Sequence, residues 1–245
     1  TFIAMGVMSA LLVLPPCLLL LRKSPEVLGL VPDGRKVAER PARGRRRARQ
    51  AEETYPWTLP LALRTSTLRL LMAAAVLAIG ANGTLVFYHA TYFVSRGISL
   101  VQAVTALSAM ALCGAVSNVV WGYLTEFFPE RRLAIISQLM AAAGVLLMLR
   151  VDGVSSALIL SAVLGLLMRG EGSLNGLIVS NYFGRFAFGR ITGLMASFQL
   201  IGLGLGPVVG SVVFDLFHSY TAIYGLLCAM YITSAVLYML ARRPR

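Results

Sequence analysis

The chain has 245 residues, of which 58% are hydrophobic and only 13% are charged, and its mean hydropathy is +0.77. This composition excludes an ordinary water-soluble domain and predicts a protein whose main solvent is lipid. The formal net charge at pH 7 is +12, from 22 Lys and Arg against 10 Asp and Glu, and the position of those charges along the chain indicates membrane topology.

Seven apolar stretches are long enough to cross a bilayer, whose hydrocarbon core of about 30 Å needs roughly 20 residues of helix. We therefore predict an all-α integral membrane protein with seven transmembrane helices, the last six of which form one block. The predicted spans are 1–21, 66–94, 99–123, 133–149, 154–180, 191–213 and 219–241.

A basic segment, 22–65, separates the first span from the other six. Its central part, 35–53, is rich in Arg and Glu and poor in apolar residues, so we expect a linker without a packed core. Eighteen of the twenty cations that lie between spans fall on one side of the membrane, which the positive-inside rule makes the cytoplasmic side and which also carries the C-terminus. Contact of the linker with anionic lipid head groups is an alternative reason for its charge; a nucleic-acid partner is not predicted.

Polar residues inside the early spans are candidates for lining a solute pathway. Asn82 lies in 66–94 and Asn118 in 99–123, and each could hydrogen-bond across helices. His89 lies near the outer end of its span, where an interfacial role is expected. The loop that follows 99–123 carries Glu126, Arg131 and Arg132.

The strongest candidates for a functional site are the two charges within 154–180. Arg169 and Glu171 lie within a few residues of the middle of that span, where a charge is costly unless it faces a cavity or a partner. Two residues on a helix differ by about 200°, so each should have its own partner. We predict a substrate or coupling-ion site here, with Asn175 one turn further along; a structural ion pair is the alternative.

The span 191–213 combines one polar candidate with a regular pattern of small residues. Gln199 is a further candidate for the pathway. Gly202, Gly206 and Gly210 have the small-xxx-small spacing that allows two helix backbones to approach closely, so we predict a packing face.

The residues that other classes of membrane protein require are absent from the sequence. The only two lysines, Lys23 and Lys36, lie in the linker, which excludes a retinal Schiff base within the membrane. No His-Glu-x-x-His or Gly-x-Gly-Asp motif is present, so an intramembrane protease is not predicted. The three cysteines are isolated in different spans. We predict neither an enzyme nor a cofactor.

Three segments resemble those of bacterial major facilitator superfamily carriers: 22–34 resembles the segment after helix six, 181–193 the loop between helices ten and eleven, and 122–132 a conserved cytoplasmic loop motif. In the last, Gly122, Glu126, Arg131 and Arg132 occupy motif positions and are expected to act as a cytoplasmic gate held by ion pairs; a tight turn that only carries topogenic charge is the alternative. The nearest branches are the monocarboxylate and oxalate/formate carriers.

The resemblance implies that 1–21 is the last helix of an N-terminal half, 22–65 an interdomain loop, and 66–245 a C-terminal bundle of six helices arranged as an inverted 3+3 repeat. Five further helices are expected upstream. The implied function is secondary transport of a small organic anion, such as a monocarboxylate, by alternating access in the inner (plasma) membrane, with a coupled proton as one option. A truncated, non-transporting bundle that serves as an assembly or regulatory partner is the alternative.

The family's usual carboxylate-binding Arg in helix eight has no counterpart in 99–123. That span offers only uncharged polar residues: Gln102, Ser108, Ser117 and Asn118. We therefore expect Arg169, in helix ten, to take the role of the anion partner.

Overall fold

The computed structural model describes residues 57–168, 171–184 and 187–244, together with five residues near the start of the chain; of Glu171 and Ser173 it describes the backbone alone. The chain divides into two compact units, Thr1–Thr54 and Tyr55–Arg245. In the first unit the described residues are helical and exposed: Val7, Met8, Leu11, Leu14 and Pro15. Most of the predicted first span and linker thus lies outside the described residues.

The second unit is helical throughout its described ranges, apart from short connections. Five of its helices are long and apolar enough to cross a membrane, and a sixth, α5, is apolar but shorter. The helices are α1 (Leu59–Arg64), α2 (Ser66–Ser95), α3 (Leu100–Leu124), α4 (Glu130–Leu147, continued by a 3-10 turn at Met148–Arg150), α5 (Val154–Met168), α6 (Glu171–Phe183), α7 (Phe188–Phe217) and α8 (Tyr220–Leu240).

Polar residues between the apolar runs fix where the helices begin and end. Thr65 precedes α2, and its hydroxyl accepts a hydrogen bond from the Leu68 N–H at 3.2 Å. Ser99 precedes α3 and forms a reciprocal capping box with Gln102. At the other end of the bundle, His218 closes α7 in the left-handed conformation, with φ of 47°. The loops are short, so consecutive spans run antiparallel.

The last residues of the predicted linker are helical. α1 begins with Pro60 in its first turn, a position where the missing N–H of proline costs nothing. Ala62 is buried, and the Trp57 ring just before the helix meets Phe183 edge-on with centroids 5.3 Å apart. The prediction of a linker up to residue 65 overlooked this short helix, which contacts α2 and α7, while Trp57 packs against the end of α6.

The packing partners of the helices have the symmetry of an inverted repeat. α2 packs mainly on α7, and α3 packs mainly on α5. If the first three spans are superposed in order on the last three, α2 corresponds to α5 and α3 to α7, so each of these two contacts becomes the other. α4 packs on α8. These are the third helices of the two repeats, so the superposition leaves this contact unchanged. The ends of α3 and α7, at 124 and 217, differ by 93 residues, as do the ends of α4 and α8, at 147 and 240. The bundle has the predicted 3+3 arrangement.

Glycines bring the two main helix pairs into close contact. A Cβ atom placed on Gly202 would lie 2.6 Å from the Val76 carbonyl oxygen, and one on Gly206 would overlap the carbonyl of Gly80. The α3 and α5 pair has its own glycine, Gly165, which lies against the Met110 backbone. Because lipid provides no hydrophobic drive for helix association, such backbone contact is a main source of packing energy.

Candidate functional site

A cavity of about 490 Å³ lies between α2, α3, α5 and α7. It is thus framed by the two helix pairs that the glycines hold together. Its wall is mostly apolar, with the Asn82 side chain as a polar group. The lining residues are Ile79, Asn82, Gly83, Val86, Phe87, Met110, Gly165, Met168, Leu203 and Pro207.

Glycine and proline shape the wall of this cavity. Pro207 lies inside α7 and has no N–H, so the carbonyl of Leu203, one turn earlier, lacks its usual helical donor. Leu203 also approaches α2 closely, since a Cβ atom on Gly83 would lie 2.9 Å from its carbonyl oxygen. The Tyr88 hydroxyl donates to the Pro207 carbonyl at 3.3 Å, which ties α2 to α7 beside the proline.

Asn82 is the predicted site residue that lines the cavity. It lies near the middle of α2 and is half-buried. Its side-chain oxygen accepts a hydrogen bond from the hydroxyl of Tyr231, on α8, at 2.8 Å. Tyr231 is 1% exposed and packs within the core. The amide of Asn82 is therefore held from outside the cavity.

Asn175 also accepts a hydrogen bond from α8 but is not among the lining residues. The Tyr238 hydroxyl donates to its side-chain oxygen at 2.6 Å, and both side chains are buried. Its amide nitrogen has no hydrogen-bond partner among the described residues. The structure thus places Asn175 in the interior of the bundle, between α6 and α8.

Among the described candidates, Asn118 and Gln199 do not line the cavity. Asn118 is exposed on α3, and its amide nitrogen donates to the Gly114 carbonyl one turn earlier at 3.3 Å. Gln199 is half-buried on α7. Arg169 and the side chain of Glu171 lie outside the described residues. Met168, which immediately precedes Arg169 in the chain, lines the cavity.

His89 was expected at the interface but is fully buried between α2 and α5. Its Nε2 lies 2.9 Å from the Ser161 hydroxyl, while its Nδ1 has no hydrogen-bond partner in the described parts of the chain. The Phe93 ring, one turn along α2, meets the imidazole edge-on with centroids 4.7 Å apart. The expectation was wrong because a buried serine on another helix supplies the polar partner that the sequence alone could not place.

The tyrosines of α8 also went unrecognised in the sequence. Tyr224, Tyr231 and Tyr238 are seven residues apart, and all three are buried. Spacing of seven residues places side chains on one face of a helix, so the pattern itself could have shown that this face carries hydroxyl groups toward the interior.

At the cytoplasmic loop motif, Arg131 binds the end of α8. Its Nε donates to the Tyr238 carbonyl at 2.9 Å, and its Nη2 to the Met239 carbonyl. Carbonyls at a helix C-terminus lack helical donors and carry partial negative charge, so a guanidinium there stabilises both. In the described part of the chain no ion pair joins Glu126 to either motif arginine. Glu126 and Arg132 are exposed, and Gly122 is half-buried with open space beside it.

A second contact of the same loop joins α4 to α6. The side-chain nitrogen of Asn181 donates to the Glu130 carboxylate. Together with Arg131, this contact links α4, α6 and α8 at the end of the bundle that carries the loop 122–132. The third helices of both repeats are thus fastened at this end of the bundle.

Comparison with known proteins identifies one family. The model of the Major Facilitator Superfamily matches residues 70–245, which include most of α2 and all of α3 to α8. No curated protein matches the chain.

Proposed function

This chain belongs to the major facilitator superfamily, whose members are membrane transport proteins, and we propose that the solute it carries is a small organic anion such as a monocarboxylate. The observation that carries the proposal is the cavity between α2, α3, α5 and α7. Its volume of about 490 Å³ falls within the range of roughly 300–1,000 Å³ found for small-molecule sites.

The chemistry of the cavity wall favours an anion. Asn82 is a polar group on an otherwise largely apolar wall, and Arg169 directly follows the lining residue Met168 in the chain. An arginine within a membrane span needs a countercharge or a polar cavity. A carboxylate is a fitting partner, because the planar guanidinium can donate two parallel hydrogen bonds to it. We propose that Arg169 binds the solute's carboxylate.

Alternating access requires a second half for this bundle to move against. Among the membrane-length helices, α3 and α7 are the least buried. In an apolar stretch of 18 residues, 28% of α3 and 17% of α7 is buried inside the bundle. They occupy equivalent places in the two repeats. We propose that the missing N-terminal helices of the carrier cover part of these two faces and that lipid covers the rest.

Orientation follows from charge. We propose that the loops bearing Arg131, Arg132 and the C-terminal arginines face the cytoplasm of a bacterial cell, with the protein in its inner membrane. Glu126 and Arg132 are exposed at this side, where they can pair with the other half when the cytoplasmic gate closes. Arg131 serves the gate indirectly, by holding the end of α8.

The test is uptake by the whole carrier in proteoliposomes. Labelled lactate would be compared with the neutral lactamide, in the wild type and in Arg169→Ala, Arg169→Lys and Arg69→Ala. Arg69 is the matched control because it also lies in an apolar span, in the first turn of α2. Hydrogen bonds to charged groups are worth about 1.5–3 kcal/mol, so Arg169→Ala should lower kcat/KM for lactate by roughly 10- to 150-fold.

Two further outcomes are expected from the same assay. Arg169→Lys should keep part of the uptake, because charge remains while bidentate geometry is lost, and Arg69→Ala should resemble the wild type. If Arg169→Ala takes up lactate with the same kcat/KM as the wild type, at equal amounts of protein in the membrane, Arg169 does not belong to the site. We propose Glu171 as the coupling carboxyl if uptake follows an imposed pH gradient, in which case Glu171→Gln should abolish that dependence.

A further inference from the structure

The amide of Asn82 has its orientation set by a helix that does not line the cavity. In the described chain, the lining residues come from α2, α3, α5 and α7, and α8 contributes none. The Tyr231 hydroxyl donates to the Asn82 side-chain oxygen from α8. The oxygen is thus engaged by α8, and the other polar atom of this lining side chain, the amide nitrogen, is a donor.

Tyr231 is rigidly placed for this task. Its side chain is 1% exposed and lies in the core cluster that joins α2, α4, α5 and α8. A second α8 side chain, Ser234, donates to the Ala74 carbonyl of α2 at 2.9 Å, so the two helices are bonded both at and below the level of Asn82. The phenol ring therefore has little freedom to follow a reoriented amide.

The same bond occurs at the equivalent position of the second repeat. Asn82 and Asn175 are 93 residues apart, the spacing that separates the ends of α3 and α7 and those of α4 and α8. A glycine follows each asparagine. Tyr238 donates to the Asn175 oxygen as Tyr231 does to that of Asn82. The bundle thus uses one device, a tyrosine of α8 on an asparagine oxygen, in both repeats.

We propose that Tyr231 is a positioning residue for solute recognition, which acts through Asn82. It fixes the Asn82 amide so that the N–H groups meet the solute, and the site accordingly selects a solute with an acceptor oxygen, such as a carboxylate or carbonyl. The inference rests on the proposed function in that Asn82 contacts the solute. It adds a specificity-determining residue that lies outside the cavity.

The chain provides a matched control for the test. Tyr224 lies on the same face of α8, is buried at 1% exposure, and has a hydroxyl without a hydrogen-bond partner among the described residues. Tyr231→Phe and Tyr224→Phe therefore remove the same atom from comparable surroundings. We would measure KM and maximal rate for lactate uptake by the whole carrier in proteoliposomes, for both variants, for Asn82→Leu and for the Tyr231→Phe, Asn82→Leu double variant.

Tyr231→Phe should raise the KM for lactate by about threefold to tenfold, the value of one neutral hydrogen bond, with the maximal rate unchanged. Tyr224→Phe should leave both constants unchanged. The double variant should have the KM of Asn82→Leu alone, because the effect of Tyr231 on the solute passes through that amide. Equal KM changes in the two Tyr→Phe variants, additive changes in the double variant, or an unaltered KM in Tyr231→Phe would each overturn the proposal.

A measurement without solute separates this proposal from the proposed function. In the whole carrier labelled with nitrogen-15 asparagine, the side-chain amide signals of Asn82 are identified as those that disappear in Asn82→Leu. Tyr231→Phe should shift the Asn82 signals and speed their hydrogen exchange, and Tyr224→Phe should not. If the wild type carries no lactate but this pattern appears, the substrate class is wrong and the positioning device stands. If the Asn82 signals are unchanged in Tyr231→Phe, the device is refuted.

Discussion

Gly206 is the position where one added methyl group should do most harm to the bundle. It lies on α7 against α2, where a Cβ atom would overlap the Gly80 carbonyl and lie 2.7 Å from the Thr84 hydroxyl oxygen. Ordinary van der Waals contact begins at 3.4 Å. A carbonyl of the backbone cannot rotate away, so Gly206→Ala requires α2 and α7 to separate.

The cost of that separation can be estimated from its parts. Overpacking a close-packed interior costs about 1–3 kcal/mol. Moving the Thr84 hydroxyl would also disturb its 2.9 Å bond to the Gly80 carbonyl, and hydrogen bonds within membranes are worth about 0.6 kcal/mol. We expect Gly206→Ala to lower the free energy of unfolding by about 2–3 kcal/mol, consistent with these terms.

Gly204 is the matched control on the same helix. Nothing lies within 4 Å of a Cβ atom placed there, so Gly204→Ala should be neutral or should stabilise the protein by up to about 1 kcal/mol through helix propensity. The assay is reversible unfolding of purified protein in mixed micelles of increasing dodecyl sulfate fraction. Gly206→Ala should be less stable than the wild type, and Gly204→Ala should be at least as stable. Equal stability of Gly206→Ala and the wild type would refute the packing argument.

Two further predictions concern single polar contacts. Arg131→Ala should destabilise the protein by about 1 kcal/mol in the same assay, because the carbonyls at the end of α8 lose a charged donor; the exposed neighbour Arg132→Ala should have little effect, and equal losses would remove the capping role. Ser161→Ala leaves the buried His89 ring without its hydroxyl partner and should cost about 1–3 kcal/mol. Ser108→Ala, whose hydroxyl bonds only within its own helix at an exposed position, should be neutral; a loss as large as that of Ser161→Ala would contradict the reasoning.

Five of the predicted spans correspond to membrane-length helices, because apolar runs of that length are a strong signal. The described residues of the predicted span 154–180 instead form two shorter helices, Val154–Met168 and Glu171–Phe183. The span 66–94 is the helix Ser66–Ser95, and 219–241 is Tyr220–Leu240. The span 191–213 proved longer at both ends, since Phe188 to Arg190 and Phe214 to Phe217 continue the helix. The charged residues Arg190 and Asp215 lower the apolar signal before the helix itself stops.

The hydrogen-bond partners of the polar side chains could not be predicted from the sequence, for a physical reason. A helix that is apolar around its whole circumference gives no periodicity from which to read its buried face. The rotation of α2 that places Asn82 at the cavity and His89 against Ser161 is set by the glycine contacts with α7. Those contacts depend on the whole bundle, so the polar residues could be named as candidates while their partners could not.

The loop motif 122–132 shows a second limit of prediction from sequence. For the charges of 122–132 the sequence left two expectations open, gating ion pairs and a tight turn that carries topogenic charge. Arg131 instead binds two carbonyls of α8, a partner more than 100 residues away. Charge patterns in sequence do not show helix ends, although these carry partial charges of their own.

Solute protection of a cysteine in the cavity tests the central claim most directly. In the whole carrier with its native cysteines replaced, Val86→Cys places a thiol on the cavity wall, and Leu100→Cys places one at the exposed start of α3. Both would be treated with a charged thiol reagent at increasing lactate concentration. The account predicts that lactate slows labelling of Val86→Cys, with half-protection near the KM for uptake, and leaves Leu100→Cys unaffected. Transport of lactate without protection of Val86→Cys would show that the solute takes another path.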